Sequence, residues 1–363
     1  MSKILFYLPK IDCGGAERVM VSLANEFANK GYEVVFVVSN ENVCEGFLIS
    51  SQIQFKTLFV KCPILNIVKL ISFIRNESPT VAISALDNGN LFLLLSKFFV
   101  SNKIKFHVTI HSNLTQNSKV ENSLKSRFAR FLLSYLYGVA DSIIAVSQGV
   151  GNDFSKFYKF KHKVDVIYNP VVSSEIIDLS KFKLENKNNL NANQLKIISV
   201  GRFVEAKNFE LLISSFALLK TKIPCILILV GEGPLYNNYV KLINDLSLTD
   251  DIVFTGFLSN PYNLMRNADL FVLSSKYEGL PTVLIEAMAC GTKVVSTDCP
   301  SGPREILEDG LWGKLVPVGD KQALADAMYE SIMDKNAPNV KKRANDFSVE
   351  IAAKKYLEHF GLS

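Results

Sequence analysis

The feature that most constrains this chain is a repeated alternation of short apolar runs with longer helical patterns. The run KILFYLP (3–9) precedes Gly14-Gly15, a helical pattern that ends at Gly31, and a second apolar run, YEVVFVVS (32–39). Further apolar runs follow, separated by helical patterns: TVAIS, KFHVTIH, SIIAVS and KVDVIYN. Strands that are apolar throughout are buried on both faces, and their alternation with helices is typical of a parallel sheet. The sequence therefore predicts an α/β protein.

The alternation pauses once, at the polar stretch 186–194, and starts again with the strand-like run LKIISVG. We therefore predict two Rossmann-like αβα domains that face each other across a cleft. Ligands of such sheets bind beyond the carboxyl ends of the strands, so the cleft is the expected ligand site. The predicted boundaries are an N-terminal domain over 1–175, a linker over 176–193, a second domain over 194–345, and a terminal helix over 346–363 that closes the second domain or crosses back onto the first.

Composition excludes several classes of protein. A chain of 363 residues with 48% hydrophobic and 21% charged residues has the composition of a folded protein and not of a disordered one. Its six cysteines form no CxxC pair, which favours a reducing compartment and argues against a zinc site. The first apolar run is too short for a signal peptide, and charges interrupt the later ones before the roughly 18 residues a membrane span needs. We do not expect an integral membrane protein.

Positive charge is concentrated in one part of the chain. Residues 50–163 contain 15 Lys and Arg against 5 Asp and Glu. A surface of this kind suits nucleic acid, anionic lipid or a phosphorylated substrate.

The stretch EGLPTVLIEAMACG combines two carboxylates with the start of a helix. Pro281 suits the first helical position and Gly291 the stop, so backbone N–H groups over Gly279, Leu280 and Thr282 are available to phosphate. Carboxylates accept hydrogen bonds from sugar hydroxyls, and Glu278 and Glu286 lie on either side of that helix start. Together they suggest a sugar nucleotide. Taken singly, Glu278 is equally typical of an acid in a solvated turn, and Glu286 of a helix-face acid in an ion pair.

Basic residues follow another apolar strand. Gly201-Arg202 ends the run IISVG, and Lys207 lies five residues further on. A planar guanidinium and a mobile ammonium can hold a diphosphate without a metal, although two such residues in a loop are often only solvated. Gly14 and Gly15 allow backbone to approach a ligand, whereas the GEG of VGEGPLY is equally well explained as a tight turn without ligand contact.

Two features of the N-terminal half have both a functional and a structural interpretation. His111 ends a strand, where a ligand would be expected, but single strand-end histidines are commonly structural. In SLKSRFARFLLSYLYG, a helical projection puts Lys125 and Arg127 beside one apolar face and Arg130 further round. That helix suits an anionic lipid or a lipid diphosphate, or it is an ordinary helix packed on the core. The apolar face comprises Leu124, Phe128, Phe131 and Tyr135.

Taken together, these motifs resemble the retaining glycosyltransferases of the GT-B fold, family 4. Glu278 and Glu286 match the E-x7-E motif of that family, Arg202 and Lys207 match its diphosphate pair, and GGAER matches its glycine loop. VIYNPV and TGF match further landmarks. Where family members often have Lys-Gly, this chain has Lys207-Asn208, and a slightly different loop is expected there.

The resemblance implies a nucleotide-diphosphate sugar, UDP-linked by family frequency, bound without metal or other cofactor. It implies that Glu278, Arg202, Lys207 and His111 act on the donor sugar and diphosphate, with no assigned base because the leaving phosphate takes the acceptor proton. The acceptor is then a glycan or an undecaprenyl-diphosphate-type lipid-linked glycan, and the protein is expected in the cytoplasm at the inner face of the membrane. The implied donor-site residues are Gly15, Gly201, Gly256, Phe257, Gly279, Leu280, Pro281, Thr282 and Glu286, and the implied acceptor or membrane residues are Gly14, Lys125, Arg127 and Arg130.

Three rivals remain at this point. A sugar-nucleotide 2-epimerase would share the fold and need no acceptor, but the E-x7-E pattern argues against it. A nucleotide-sugar-binding protein would lack turnover. A nucleic-acid binder would use the basic 50–163 surface, but no recognised nucleic-acid module supports it.

Overall fold

The computed structural model describes residues 2–11, 14–40, 48–60, 62–120, 123–182 and 194–362. Contacts divide the chain into two compact units. The first unit comprises Met1–Pro170 and Val349–Ser363, and the second comprises Val171–Ser348. The chain therefore leaves the first unit once and returns to it once.

A parallel seven-stranded sheet forms the centre of the first unit, with strand order β3-β2-β1-β4-β5-β6-β7. Its strands are β1 Lys3–Leu8, β2 Glu33–Val38, β3 Gln54–Thr57, β4 Val81–Ala85, β5 Lys105–Ile110, β6 Ser142–Ala145 and β7 Asp165–Val166. The helices of this part are α1 Gly15–Asn29, α2 Pro63–Glu77, α3 Asp87–Lys97, α4 Leu114–Val120, α5 Leu124–Leu136 and α6 Gln148–Phe157.

Both faces of this sheet are covered, which explains the continuous apolar runs. Neighbouring residues of a strand point to opposite faces. Phe6 and Phe36 stack on each other in the core beneath α1, with ring centroids 5.7 Å apart. Leu5 and Val35 point the other way, into the core beneath α2 and α3.

The second unit is built around a parallel six-stranded sheet of order β10-β9-β8-β11-β12-β13. Its strands are β8 Leu195–Val200, β9 Cys225–Val230, β10 Ile252–Gly256, β11 Leu270–Leu273, β12 Val294–Thr297 and β13 Lys314–Val316. Its helices are α7 Ser174–Lys181, α8 Phe209–Lys220, α9 Tyr236–Asp245, α10 Tyr262–Arg266, α11 Thr282–Cys290, α12 Pro303–Ile306, α13 Lys321–Met333 and α14 Val340–Ala344. Two parallel, Rossmann-like sheets confirm the predicted α/β fold class.

Each sheet has one point where the direction of strand succession reverses. In the first sheet it lies between β1 and β4, and in the second between β8 and β11. The loops after these strands run to opposite sides, which leaves a crevice at the carboxyl ends. Any ligand site of either unit is therefore expected at these loops.

The stretch 176–193 was predicted to be a linker, but its first residues belong to helix α7. Within it, α7 packs beside α10, and the Asn260 side-chain amide donates to the Leu179 carbonyl at 3.0 Å. Residues 183–193 lie outside the described part of the chain.

The C-terminal helix, α15 Val349–Phe360, lies in the first unit. Its Phe360 contacts Phe27 of α1, with ring centroids 6.3 Å apart, and the Tyr32 hydroxyl donates to the Leu362 carbonyl at 2.6 Å. Over the described residues, every helix is too short or too polar to cross a bilayer. Cys62, Cys225, Cys290 and Cys299 are free thiols.

Candidate functional site

The two loops at the switch point of the second sheet are joined through a lysine and a glutamate. Lys207, in the loop after β8, places its Nζ 2.6 Å from Oε1 of Glu278, in the loop after β11. The Ser275 hydroxyl donates to the same carboxylate oxygen, also at 2.6 Å. The side chains of Lys207 and Glu278 are only 23% and 12% exposed. A cation and an anion are thus held side by side at the sheet edge where ligands bind.

Hydrogen bonds to main-chain carbonyls hold these loops together. The Ser274 hydroxyl donates to the Lys207 carbonyl at 2.9 Å, and the Lys276 amide donates to the Ala206 carbonyl at 2.7 Å. Ser274 and Ser275 were not predicted as site residues, although two consecutive serines at the end of the apolar run LFVLSS were a usable signal.

Asn208 resolves the one departure from the family pattern in the β8 loop. Its backbone is left-handed, with φ 50° and ψ 48°, at the entry to α8. Glycine adopts this conformation without strain, and asparagine is among the few other residues that do so readily. Asn208 can therefore make the same turn as the glycine common in the family.

Arg202 lies on the same loop in a different environment. It is exposed, and its side chain makes no hydrogen bond or ion pair with another described residue. Lys207 is paired with Glu278, whereas Arg202, on the same loop, is a cation available to an incoming anion.

The GEG turn after β9 supports the β8 loop through close backbone packing. A Cβ on Gly231, which has φ +135°, would lie 2.1 Å from the Gly201 carbonyl oxygen, and one on Gly233 would lie 2.5 Å from the Phe203 carbonyl oxygen. The Phe203 amide donates to the Glu232 carbonyl at 2.8 Å. These glycines are explained by packing, which agrees with the tight-turn interpretation.

Pro281 was predicted to be the first residue of helix α11. The helix begins instead at Thr282, and Pro281 is its N-cap. Gly302, with φ +99°, brings the next loop against this turn, where a Cβ would lie 2.5 Å from Pro281 Cδ. The helix ends as expected at Gly291, which is left-handed with φ 91°. The α11 amino end therefore adjoins the Glu278 turn.

Glu286 lies inside α11 and is 6% exposed, so it does not belong to a solvated helix face. Its charge acts on Cys290, one turn further along the helix. Burial, and then the negative charge of Glu286, raise the pKa of the Cys290 thiol to about 12. Leu280 is likewise buried, while Gly279 and Thr282 are half-buried.

Gly256 and Phe257 follow the edge strand β10. Gly256 is left-handed with φ +72°, and the Phe257 ring is 57% exposed. The Phe257 amide donates to Oε1 of Glu232 at 3.2 Å, which ties this end to the GEG turn. Both residues lie at the same sheet edge as Arg202.

In the first unit, His111 follows β5 and presents one ring nitrogen as an acceptor. The Thr109 hydroxyl donates to the Ser84 carbonyl at 2.9 Å, so His111 Nε2, 2.9 Å from that hydroxyl oxygen, is the donor in their bond. Nδ1 is then unprotonated, and it is buried without a partner among the described residues. Burial lowers the pKa of His111 to about 4. The imidazole is therefore neutral at pH 7, and its Nδ1 has the lone pair of a hydrogen-bond acceptor.

The glycine pair near β1 is partly explained by its own helix. Gly14 is the N-cap of α1, and a Cβ there would lie 2.4 Å from Oε2 of Glu17. Gly15 is exposed and has open space where a side chain would be. Gly14 thus makes room for Glu17, and Gly15 leaves the start of α1 open.

The remaining predicted residues lie on α5 of the first unit. Lys125 and Arg127 are exposed, whereas Arg130 is half-buried. Across the described ranges, no group of three or more His, Cys, Asp or Glu side chains is arranged to hold a metal ion.

Comparison with known proteins gives two adjacent family matches. The model of "Glycosyltransferase Family 4" matches residues 13–175, and that of "Glycosyl transferases group 1" matches residues 180–347.

Two relatives come from Campylobacter jejuni. The N-acetylgalactosamine-N,N'-diacetylbacillosaminyl-diphospho-undecaprenol 4-alpha-N-acetylgalactosaminyltransferase is 30% identical over 98% of this chain and 100% of its own. The GalNAc-alpha-(1->4)-GalNAc-alpha-(1->3)-diNAcBac-PP-undecaprenol alpha-1,4-N-acetyl-D-galactosaminyltransferase is 27% identical over 99% and 98%. Among solved structures, HepE of Anabaena in complex with UDP is similar in fold, with a TM-score of 0.83 and 21% identity over 99% of this chain and 100% of its own.

Proposed function

Because this chain belongs to the family 4-type glycosyltransferases of the GT-B fold, we propose that it transfers a hexose or N-acetylhexosamine from a UDP-sugar to a lipid-diphosphate-linked glycan, with retention of anomeric configuration. The bond between the anomeric carbon and the β-phosphate oxygen breaks. The acceptor hydroxyl oxygen then bonds to that carbon on the same face, and its proton passes to the leaving phosphate. The observation that carries the proposal is the Lys207–Glu278 pair at the switch point, on the loop that also carries Arg202.

We assign the leaving diphosphate to Arg202 and Lys207. Negative charge grows on the β-phosphate as the glycosidic bond breaks, and fixed cations at that position stabilise the transition state more than the ground state. Lys207, held against the Glu278 turn before α11, and Arg202 on the same loop can supply this charge from the protein, and we propose that transfer is metal-independent.

The two glutamates receive the neutral parts of the donor. Glu278 lies against Lys207, so sugar hydroxyls that bond to its carboxylate are held next to the diphosphate. Glu286 is assigned to the ribose hydroxyls. In the first unit, we assign His111 Nδ1 as the acceptor of a hydrogen bond from a hydroxyl of the donor sugar.

The proposed nucleotide and the proposed acceptor are based on the names of similar proteins. HepE was solved with UDP, and both Campylobacter relatives are named for acceptors linked through diphosphate to undecaprenol. With such an acceptor, we propose that the reaction takes place at the inner face of the cell membrane.

The test is incubation with a panel of UDP- and GDP-sugars in EDTA, with and without a membrane lipid extract, while nucleotide release is followed. We expect release of UDP from one donor, only when extract is present. Release from a GDP-sugar would contradict the nucleotide, and release that requires added metal would contradict metal independence. Equal release without extract would contradict the lipid-linked acceptor.

A further inference from the structure

Helix α5 presents a stripe of large apolar side chains to solvent. Leu124 is 82% exposed, Phe128 67%, Phe131 60% and Tyr135 67%. They recur every three or four residues and so lie along one side of the helix. The buried side of α5 is formed instead by Leu133 and Leu136, so the alternative in which the stripe packs on the core is wrong.

The charged side chains of α5 itself are all basic. Lys125 and Arg127 are exposed beside it, and α5 contains no acidic residue. Arg130 lies nearer the protein, where its charge lowers the pKa of Tyr158 against the larger, opposite effect of burial. The exposed cations therefore belong to the outer, apolar side of the helix.

A second apolar patch lies on the same layer of helices. At the start of α2, Ile64 is 72% exposed, Leu65 57% and Val68 58%. Both α2 and α5 pack against α3, which lies between them on one face of the first sheet. The exposed apolar surface of this layer is thus larger than the α5 stripe alone.

We propose that the outer face of α5, together with the start of α2, docks on a bilayer that contains anionic phospholipid. An apolar stripe flanked by Lys and Arg is the arrangement by which amphipathic helices bind in the plane of a membrane. Aromatic rings enter the boundary between headgroups and acyl chains, and each nearby cation adds attraction to anionic lipid. The absence of acid from α5 makes the face complementary to lipid phosphates.

The position of α5 connects docking to the first unit's own site. Because α5 leads into β6, its first turn lies toward the carboxyl edge of the sheet, where His111 also lies. Lys125 and Arg127 are in that first turn. Docking brings that edge to the level of the lipid phosphates, which is useful to the protein if its acceptor is lipid-linked. In this respect the inference rests on the proposed function. Binding to vesicles can nevertheless be measured without turnover.

The experiment is co-sedimentation of the full chain with vesicles of phosphatidylglycerol and phosphatidylethanolamine, and with vesicles of phosphatidylcholine. The test variant is Phe128→Glu with Phe131→Glu. Its matched control is Leu311→Glu with Met333→Glu, two residues of the second unit that are 63% and 54% exposed. We expect binding to the anionic vesicles to fall at least tenfold in the test variant and to be unchanged in the control.

The cations are tested separately. Lys125→Gln with Arg127→Gln should weaken binding to anionic vesicles roughly tenfold or more, at about 1 kcal/mol for each charge, and should leave binding to phosphatidylcholine unchanged. The same substitutions at Lys321 and Lys335, exposed in the second unit, are the charge control.

Turnover separates docking from the proposed function. With a water-soluble, short-chain acceptor diphosphate, the Phe128→Glu/Phe131→Glu variant should match the parent, whereas with the acceptor embedded in vesicles it should be slower. Docking without turnover of any acceptor would overturn the function and leave the docking surface standing. Vesicle binding equal to the parent, no vesicle binding by the parent, or a parent dimer that the variant dissociates would each overturn the docking surface.

Discussion

Arg202 and Lys207 lie five residues apart on one loop, yet the surrounding protein uses them differently. Lys207 is bonded to Glu278, and removing it would leave a largely buried carboxylate with the Ser275 hydroxyl as its one side-chain partner among the described residues. Such a change would disturb the site as well as remove a charge. Arg202 is exposed and makes no side-chain bond within the described structure, so it is the better probe of ligand binding.

Arg202→Ala should weaken UDP binding by roughly tenfold to a hundredfold, because a hydrogen bond to a charged group contributes about 1.5–3 kcal/mol. Its free energy of unfolding should stay within about 0.5 kcal/mol of the parent. The affinity of Arg202→Lys for UDP should lie between those of the parent and of Arg202→Ala, because lysine keeps the charge but loses the planar guanidinium that can make two parallel hydrogen bonds. Calorimetry with UDP in EDTA gives the affinities, and an alanine variant that binds UDP as tightly as the parent would remove Arg202 from the site.

Glu286 can be tested through the ligand as well as the protein. If its carboxylate accepts the ribose hydroxyls, the parent should bind UDP at least tenfold more tightly than 2′,3′-dideoxy-UDP. In Glu286→Gln this preference should shrink to a few-fold, while the affinity for dideoxy-UDP changes little. An undiminished preference in the variant would show that the hydroxyls bond elsewhere.

The motifs identified the candidate residues, but not their mutual contacts. Glycine, arginine and lysine at fixed spacing after an apolar strand were visible in the sequence. The bond between Lys207 and Glu278 depends instead on how two loops, 71 residues apart in the chain, fold against each other. The role of Gly231 was equally hidden, because it depends on the approach of the Gly201 carbonyl.

At the scale of elements, α15 is joined to the first sheet by two histidines that share a serine. The Ser142 hydroxyl oxygen lies 2.6 Å from Nδ1 of His107 and 2.7 Å from Nε2 of His359. Burial lowers the pKa of His107 to about 3, helped by His359, Lys97 and Lys105 and opposed by Asp141. Burial also lowers the pKa of His359.

This arrangement makes the stability of the first unit depend on pH. The pKa of His107 in the folded protein is below the ordinary value of 6.5. As the pH falls, His107 is therefore protonated in the unfolded chain before it is protonated in the folded protein. Stability from the neutral ring is complete above about pH 6.5 and declines as pH falls toward 3. Between pH 7 and pH 5, the parent should lose about 2 kcal/mol more free energy of unfolding than His107→Phe.

Urea unfolding at the two pH values measures this difference, and titration of carboxyl groups common to both proteins cancels in it. Phenylalanine can keep the contact with Phe360, whose ring centroid lies 4.4 Å from that of His107. Equal losses in the two proteins would show that His107 is not held neutral by the fold.

The elements that sequence analysis did not predict are those whose pattern is weak. Strand β3 is a polar edge strand, and Phe55 is its one apolar residue. Helix α7 was placed partly in the linker because its pattern runs into the polar stretch that follows. For α5 the apolar spacing was clear, but periodicity gives the existence of a face and not whether that face meets the core or the solvent.

At the scale of the whole molecule, the proposed chemistry is distributed over both units. The second unit holds Arg202, Lys207 and the two glutamates at its switch point, where we place the donor. The first unit holds His111 and the exposed face of α5. Positive charge follows this division, since residues 50–163, with 15 basic and 5 acidic side chains, all belong to the first unit.

The most direct test of this account is the fate of the anomeric carbon. The chain is incubated in EDTA with a UDP-α-sugar labelled with ¹³C at that carbon and with lipid-linked acceptor, and the products are analysed by NMR and mass spectrometry. The account predicts that the label appears in the lipid-linked glycan, in an α linkage. Label found in a β linkage would contradict retention, and label found only in an epimerised UDP-sugar would contradict glycosyl transfer itself.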